Sequence, residues 1–135
     1  MARVYDAGMP PRRRVPESSG LAAVAAWRAS GAQATRNDLA TAVRFSLEEL
    51  AIRAPGRSVE VRVPPFGAVQ CIEGPTHTRG TPPAVVETDA QTWLEVATGA
   101  LGWNDAWDSG RLRVSGQRAD LTAYLPLVGG DHSPG

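Results

Sequence analysis

The sequence predicts an α+β fold, a mostly antiparallel sheet of four strands covered on one face by helices. Three observations predict it. Leu39, Val43, Leu47 and Leu50 recur at helical spacing over a long amphipathic stretch. Directly afterwards the period falls to two, with Val59, Val61 and Val63 alternating with Glu60 and Arg62. Beyond a Gly- and Pro-rich stretch, helical spacing returns around Trp93 and gives way to a last alternating run, which places helices on one side of a strand layer.

The elements follow in chain order. Ser18 and Ser19 are suited to cap a first helix that carries Leu21, Val24 and Trp27 and ends at Gly31. Thr35 to Asp38 resembles a capping box at the head of the strongest helix, which Ala54-Pro55-Gly56 terminates. Val59 to Val63 forms a strand, 64–67 a short loop, and 68–73 the returning strand, so the pair is a hairpin. Residues 74–83 read as a loop and 84–87 as a third strand continuing a meander. Thr88 stands as the cap of the next helix, with Asp89 in its first turn and Gln91 completing a capping box; Gly99 ends it. A short helix over 104–109 stops at Gly110. Leu112 and Val114 then alternate with Arg111, Arg113 and Ser115, and 118–125 is read as a closing helical segment.

The 135 residues, 42% hydrophobic and 21% charged, fit one domain, with residues 1–17 an N-terminal tail, 18–128 the domain and 129–135 a C-terminal tail. Cys71 is the only cysteine, so neither an internal disulfide nor a Cys-rich zinc site is available, and a lone thiol suits a reducing cytoplasm, here read as bacterial. Net charge is zero. The 14 basic residues, all Arg, are balanced by 14 acidic ones, which gives no field to draw the chain onto nucleic acid. No apolar run reaches the roughly 20 residues of a membrane-spanning helix.

Templates for catalysis come up empty: there is no phosphate-binding glycine loop, dinucleotide fingerprint or nucleophile elbow. Metal and cofactor are both expected to be absent. His77 and Arg79, in a loop that also holds Thr76, Thr78 and Thr81, are the polar candidates, because Arg79 can fork two hydrogen bonds to an anion. An ordinary strand connection explains the same loop. Cys71 lies six residues from His77, but its place in an alternating strand favours burial and inertness. Three tryptophans, 93, 103 and 107, crowd into fifteen residues; they suit either a core or an apolar pocket.

The run Thr88-Asp89-Ala90-Gln91-Thr92-Trp93-Leu94-Glu95-Val96-Ala97-Thr98-Gly99, then Trp103-Asn104-Asp105-Ala106, then Gly110-Arg111-Leu112-Arg113-Val114-Ser115-Gly116 resembles the carboxy-terminal half of the sterol carrier protein superfamily. The wider segment from Leu39 to Leu127 is similar to its bacterial, actinobacterial sterol-carrier-like branch. The resemblance implies a curved sheet of four to five strands under helices around an apolar tunnel, and binding rather than catalysis. The implied ligand is a fatty acid, sterol or other lipid, held or transferred by a non-enzymatic cytoplasmic domain. Val43, Leu47, Leu50, Val61, Trp93, Leu94, Val96 and Leu125 are the expected cavity lining. The alternative is an accessory scaffold with a filled tunnel, associated with mycothiol-dependent isomerase-like enzymes and working through a protein partner or homodimer at the His77 to Pro83 surface. Nucleic acid is not an expected partner.

Overall fold

The computed structural model describes residues 13–74, 84–116 and 120–128. Helix α1 spans Glu17–Ser30 and begins directly after Pro16. Pro16 provides no side-chain cap; its carbonyl accepts the Gly20 N–H at 2.9 Å, and Glu17 complements the positive end of the helix. Ser18 and Ser19 are therefore helical and exposed, not caps. Before the helix, Glu48 accepts the backbone N–H groups of Arg14 and Val15, and Arg13 pairs with Glu49 at 2.8 Å. Those residues of the segment read as a tail thus lie against the following helix. A 3-10 turn, Gly31–Gln33, leads into it.

Helix α2 spans Arg36–Arg53, and the Thr35 hydroxyl accepts the Asp38 N–H at 3.0 Å, as the capping pattern predicts. The helix buries more than the expected stripe. Ala40, Ala42, Val43, Phe45, Ser46, Leu47, Leu50 and Ala51 are all buried because α1 packs on one side of α2 and the sheet on another, while Leu39 is only half-buried.

Four strands are described: β1 Val59–Val63, β2 Gly67–Cys71, β3 Ala84–Glu87 and β4 Arg113–Ser115. Their order is β2-β1-β3-β4, so the sheet is mixed and not a meander; no fifth strand is seen among the described residues. β1 pairs with β2 antiparallel and β3 with β4 antiparallel, but β1 and β3 run parallel, with Val61 opposite Val86. Burial explains the order. Val59, Val61 and Val63 are nearly or wholly sealed, which suits a central strand, whereas β2 carries Gly67, Ala68 and Gln70 and suits an edge. The connection 72–83 has twelve residues, enough chain to cross one strand spacing of about 4.8 Å twice over.

Ile72 opens that connection in the left-handed region, φ 65°, an unusual place for a β-branched residue. It is held there by its neighbours. Its N–H donates to Ala54, and its carbonyl accepts the Ser58 N–H and hydroxyl. Gly56 lies so close beneath it that a Cβ there would meet the Ile72 carbonyl carbon at 2.1 Å.

Helix α3 spans Ala90–Thr98 and ends at Gly99, whose φ of 86° forms a left-handed cap. Its cap is Asp89, not Thr88: the Asp89 carboxylate accepts the Thr92 N–H at 2.7 Å, while the Thr88 hydroxyl donates to the Arg111 carbonyl at 2.7 Å. The chain leaves β3 one residue later than the capping box requires, which frees Gln91 for other bonds. Helix α4 spans Trp103–Asp108. In the segment read as a closing helix, the described residues form only a 3-10 turn, Thr122–Tyr124. The chain then returns to the core, with the Leu127 and Val128 N–H groups both donating to the Ala97 carbonyl and the Arg53 guanidinium donating to the Pro126 and Leu127 carbonyls.

Candidate ligand site

α4 positions the site. Trp103 and Trp107 are four residues apart and therefore share a helix face. Their rings pack edge to face, centroids 6.0 Å apart and planes at 76°. Trp103 is buried at 5% exposure, whereas Trp107 stands 38% exposed. Between them and β4 lies an open cleft of about 590 Å³. Trp103, Trp107 and Val114 supply its apolar wall; Asn104, Asp108 and Asp120 supply its polar rim, and Gly116 completes the lining among the described residues. The Thr122 N–H donates to the Asp120 carboxylate at 2.9 Å and so fixes its orientation.

A second cleft, about 470 Å³, lies on the outward face of the sheet. The strand register sets Arg62, Glu87 and Arg113 in a row across β1, β3 and β4, with Val85 and Ser115 in the next row. The two clefts share Val114 and therefore flank β4.

A polar network links α1 and α3 to the approach to β4. The Trp27 indole N–H donates to the Gln91 side-chain oxygen at 2.9 Å, and the Gln91 amide donates to Glu95 at 2.9 Å. Arg111 completes the chain, its Nη2 donating to Glu95 at 2.7 Å and its Nε to the Thr92 hydroxyl at 3.1 Å. Asp89, Gln91, Thr92, Glu95 and Arg111, which carry much of the sequence pattern, thus join α1, α3 and the approach to β4.

The expected cavity residues are brought together as a packed core. Val43, Leu47 and Leu50 from α2, Val61 from β1, and Trp93, Leu94 and Val96 from α3 are each no more than 2% exposed and belong to one cluster. Leu125 packs half-buried against it. The Trp93 indole N–H is satisfied inside by the Ser46 hydroxyl at 2.8 Å, and Ser46 donates onward to the Ala42 carbonyl. None of the eight lines either cleft. His77 and Arg79 lie outside the described residues. Cys71 is wholly buried, and desolvation pushes its thiol from an ordinary 9.0 up to about 12, so its thiolate is scarce at neutral pH. Among the described residues, no group of three or more His, Cys, Asp or Glu side chains is placed to hold a metal ion. Nor is any described helix long and apolar enough to cross a membrane.

As cleft residues Asn104, Asp108, Val114 and Asp120 have no signal in the sequence: the alternation at Val114 marks only a strand, and no periodicity links the four. Trp107 had one: its spacing from Trp103 puts two indoles on a helix only six residues long, more apolar surface than so short a helix can bury.

A small mixed sheet with helices against its buried face, closed by a Trp-bearing helix before a short final strand, defines an α+β domain of sterol-carrier type. The model of a family described as bacterial SCP ortholog matches residues 35–127, just over two thirds of the chain. The chain belongs to that bacterial sterol carrier protein-like family. None of the curated proteins compared with it matches. The matched span begins at Thr35, so α1 precedes it.

Proposed function

We propose that this chain is a non-enzymatic lipid-binding domain that holds one apolar chain in the cleft between α4 and β4. Membership of a sterol carrier protein-like family supports lipid as the ligand class. The observation that carries the place is Trp107. The exposed large hydrophobic side chains among the described residues are Leu21 and Trp107, and Trp107 stands at a cleft of ligand size. A ligand lodged among Val43, Leu47, Leu50, Val61, Trp93, Leu94 and Val96 would have to part α2 from α3 and break the Trp93–Ser46 hydrogen bond. The α4 cleft asks for no such opening.

The sealed core also supports a second reading, an accessory scaffold that acts through a protein partner or a second copy. Native mass spectrometry with dodecanol added below its solubility limit separates the two. The lipid reading expects a one-to-one adduct that Trp107→Ala weakens about tenfold, equivalent to about 1.4 kcal/mol. A clean unliganded mass with every C10 to C16 amphiphile overturns it in favour of the scaffold.

A further inference from the structure

We infer that Arg111 is a positioning residue of the α4 cleft and that α1 takes part through Trp27; this rests on the proposed lipid-binding reading and adds what sets the geometry of that site. Glu95 of α3 holds both ends of the segment that carries the two indoles. Its backbone carbonyl accepts the Leu101 N–H at 3.0 Å, just before α4, and its carboxylate accepts Arg111 Nη2 at 2.7 Å, just after α4. Arg111 is tied by its other polar groups as well. Its N–H donates at 3.0 Å to the carbonyl of Ala106, which stands on α4 between Trp103 and Trp107. Its own carbonyl accepts the Thr88 hydroxyl, and its Nε donates to the Thr92 hydroxyl at 3.1 Å.

This clasp fastens α4 to α3. A helix of six residues is too short to be stable by its own hydrogen bonds, so its attachments decide where it lies. Trp103 and Ala106 are buried and keep α4 on the core; the clasp at its ends sets its rotation there, and so where the exposed Trp107 stands. The guanidinium is what the clasp requires, because one planar fork reaches Glu95 and Thr92 together, whereas an ammonium is a single point of charge. The second carboxylate oxygen of Glu95 accepts the Gln91 amide, and the Gln91 side-chain oxygen accepts the Trp27 indole N–H at 2.9 Å. Trp27 belongs to α1, ahead of the residues that the family model matches. The cleft of this chain thus leans on a helix that the family span does not include.

The test is a proton–nitrogen correlation spectrum of the isotope-labelled full chain, with its indole N–H signals assigned, together with titration of dodecanol below its solubility limit. In Arg111→Ala the Trp103 and Trp107 signals are expected to move, while that of Trp93, held inside by Ser46, stays in place. Dodecanol should bind about tenfold more weakly, equivalent to about 1.4 kcal/mol. Arg111→Lys, which keeps the charge without the fork, is expected to fall between Arg111→Ala and wild type in both readouts. Arg111 and Glu95 are 39% and 24% exposed, so breaking the pair should leave the fold intact; should Arg111→Ala not fold, Arg111→Lys and Glu95→Gln carry the same test. Gln91→Met, which cuts the link to Trp27, should move the Trp103 and Trp107 signals in the same direction by less, and unmoved signals there overturn the part given to α1. Unmoved Trp103 and Trp107 signals in Arg111→Ala, a Trp93 shift as large as theirs, or displaced indoles with wild-type dodecanol affinity overturn the inference. No dodecanol uptake by the wild type overturns the lipid reading alone, because the indole signals report the clasp without ligand.

Discussion

Cys71 closes β2 with its side chain wholly inside the core, opposite Val59, where a thiolate would have no partner to replace water. The folded chain therefore keeps the thiol proton up to about pH 12, whereas the unfolded chain releases it near the ordinary 9.0. Because the folded state binds more protons in that window, stability falls as pH rises from about 9 to about 12 and is insensitive to this group below 9. Cys71→Ala is expected to unfold in urea with a flatter pH dependence above pH 9 than wild type; parallel slopes in the two proteins would show that the thiol does not contribute. The same residue shows how far single positions were legible. Its burial followed from the alternation of β2, and its inertness from burial. The cap of α3 was less legible, because Thr88 and Asp89 are both good cap residues and the choice turned on the Arg111 carbonyl, 23 residues away, which takes the Thr88 hydroxyl.

Between elements, Gly20 of α1 lets the Phe45 ring of α2 approach closely. A Cβ on Gly20 would sit 2.2 Å from the Phe45 ring at Cγ, near the root of the side chain, where rotation cannot clear it. Gly20→Ala is expected to destabilise by about 1–3 kcal/mol through overpacking. The check is urea unfolding of Gly20→Ala in wild-type and Phe45→Leu backgrounds: the loss should be smaller in the second, and equal losses would locate the damage elsewhere. The span and cap of helix α2 were readable, since its apolar period and Thr35 cap are local signals, but not the full face that it buries between α1 and the sheet. The sheet order was not. Local patterning identifies strands but not their neighbours, and β3 passes beyond β1 because β1 carries the three-valine face that a central strand needs. The network from Trp27 through Gln91 and Glu95 to Arg111 was hidden for the same reason: its Trp27–Gln91 bond alone spans 64 residues.

For the molecule as a whole, the fold class could be read from periodicity, whereas the proposed site could not. Apolar residues at helical and strand spacing report burial, and burial alone does not distinguish a filled core from a lined cavity. Seven of the eight residues expected to line a tunnel pack in one cluster, while the proposed ligand cleft is built from Trp103, the exposed Trp107, a half-buried valine and polar groups on α4 and after β4. α1 adds a further point of scale. It precedes the matched family span yet is bonded to α3 through Trp27, so the helix and the family domain form one packed unit.

The sheet order also bears on how the chain behaves when it is stressed. β2 lies at one end of the order, and its five residues, Gly67 to Cys71, carry no charge. An uncharged outer strand is a template on which partly unfolded copies can add, the first step toward aggregates. Its exposed Ala68 lies opposite Arg62. Ala68→Glu is expected to place an acid across from that Arg and to slow turbidity growth on mild heating with little change in melting temperature. Unchanged turbidity would point to a different surface as the origin of self-association.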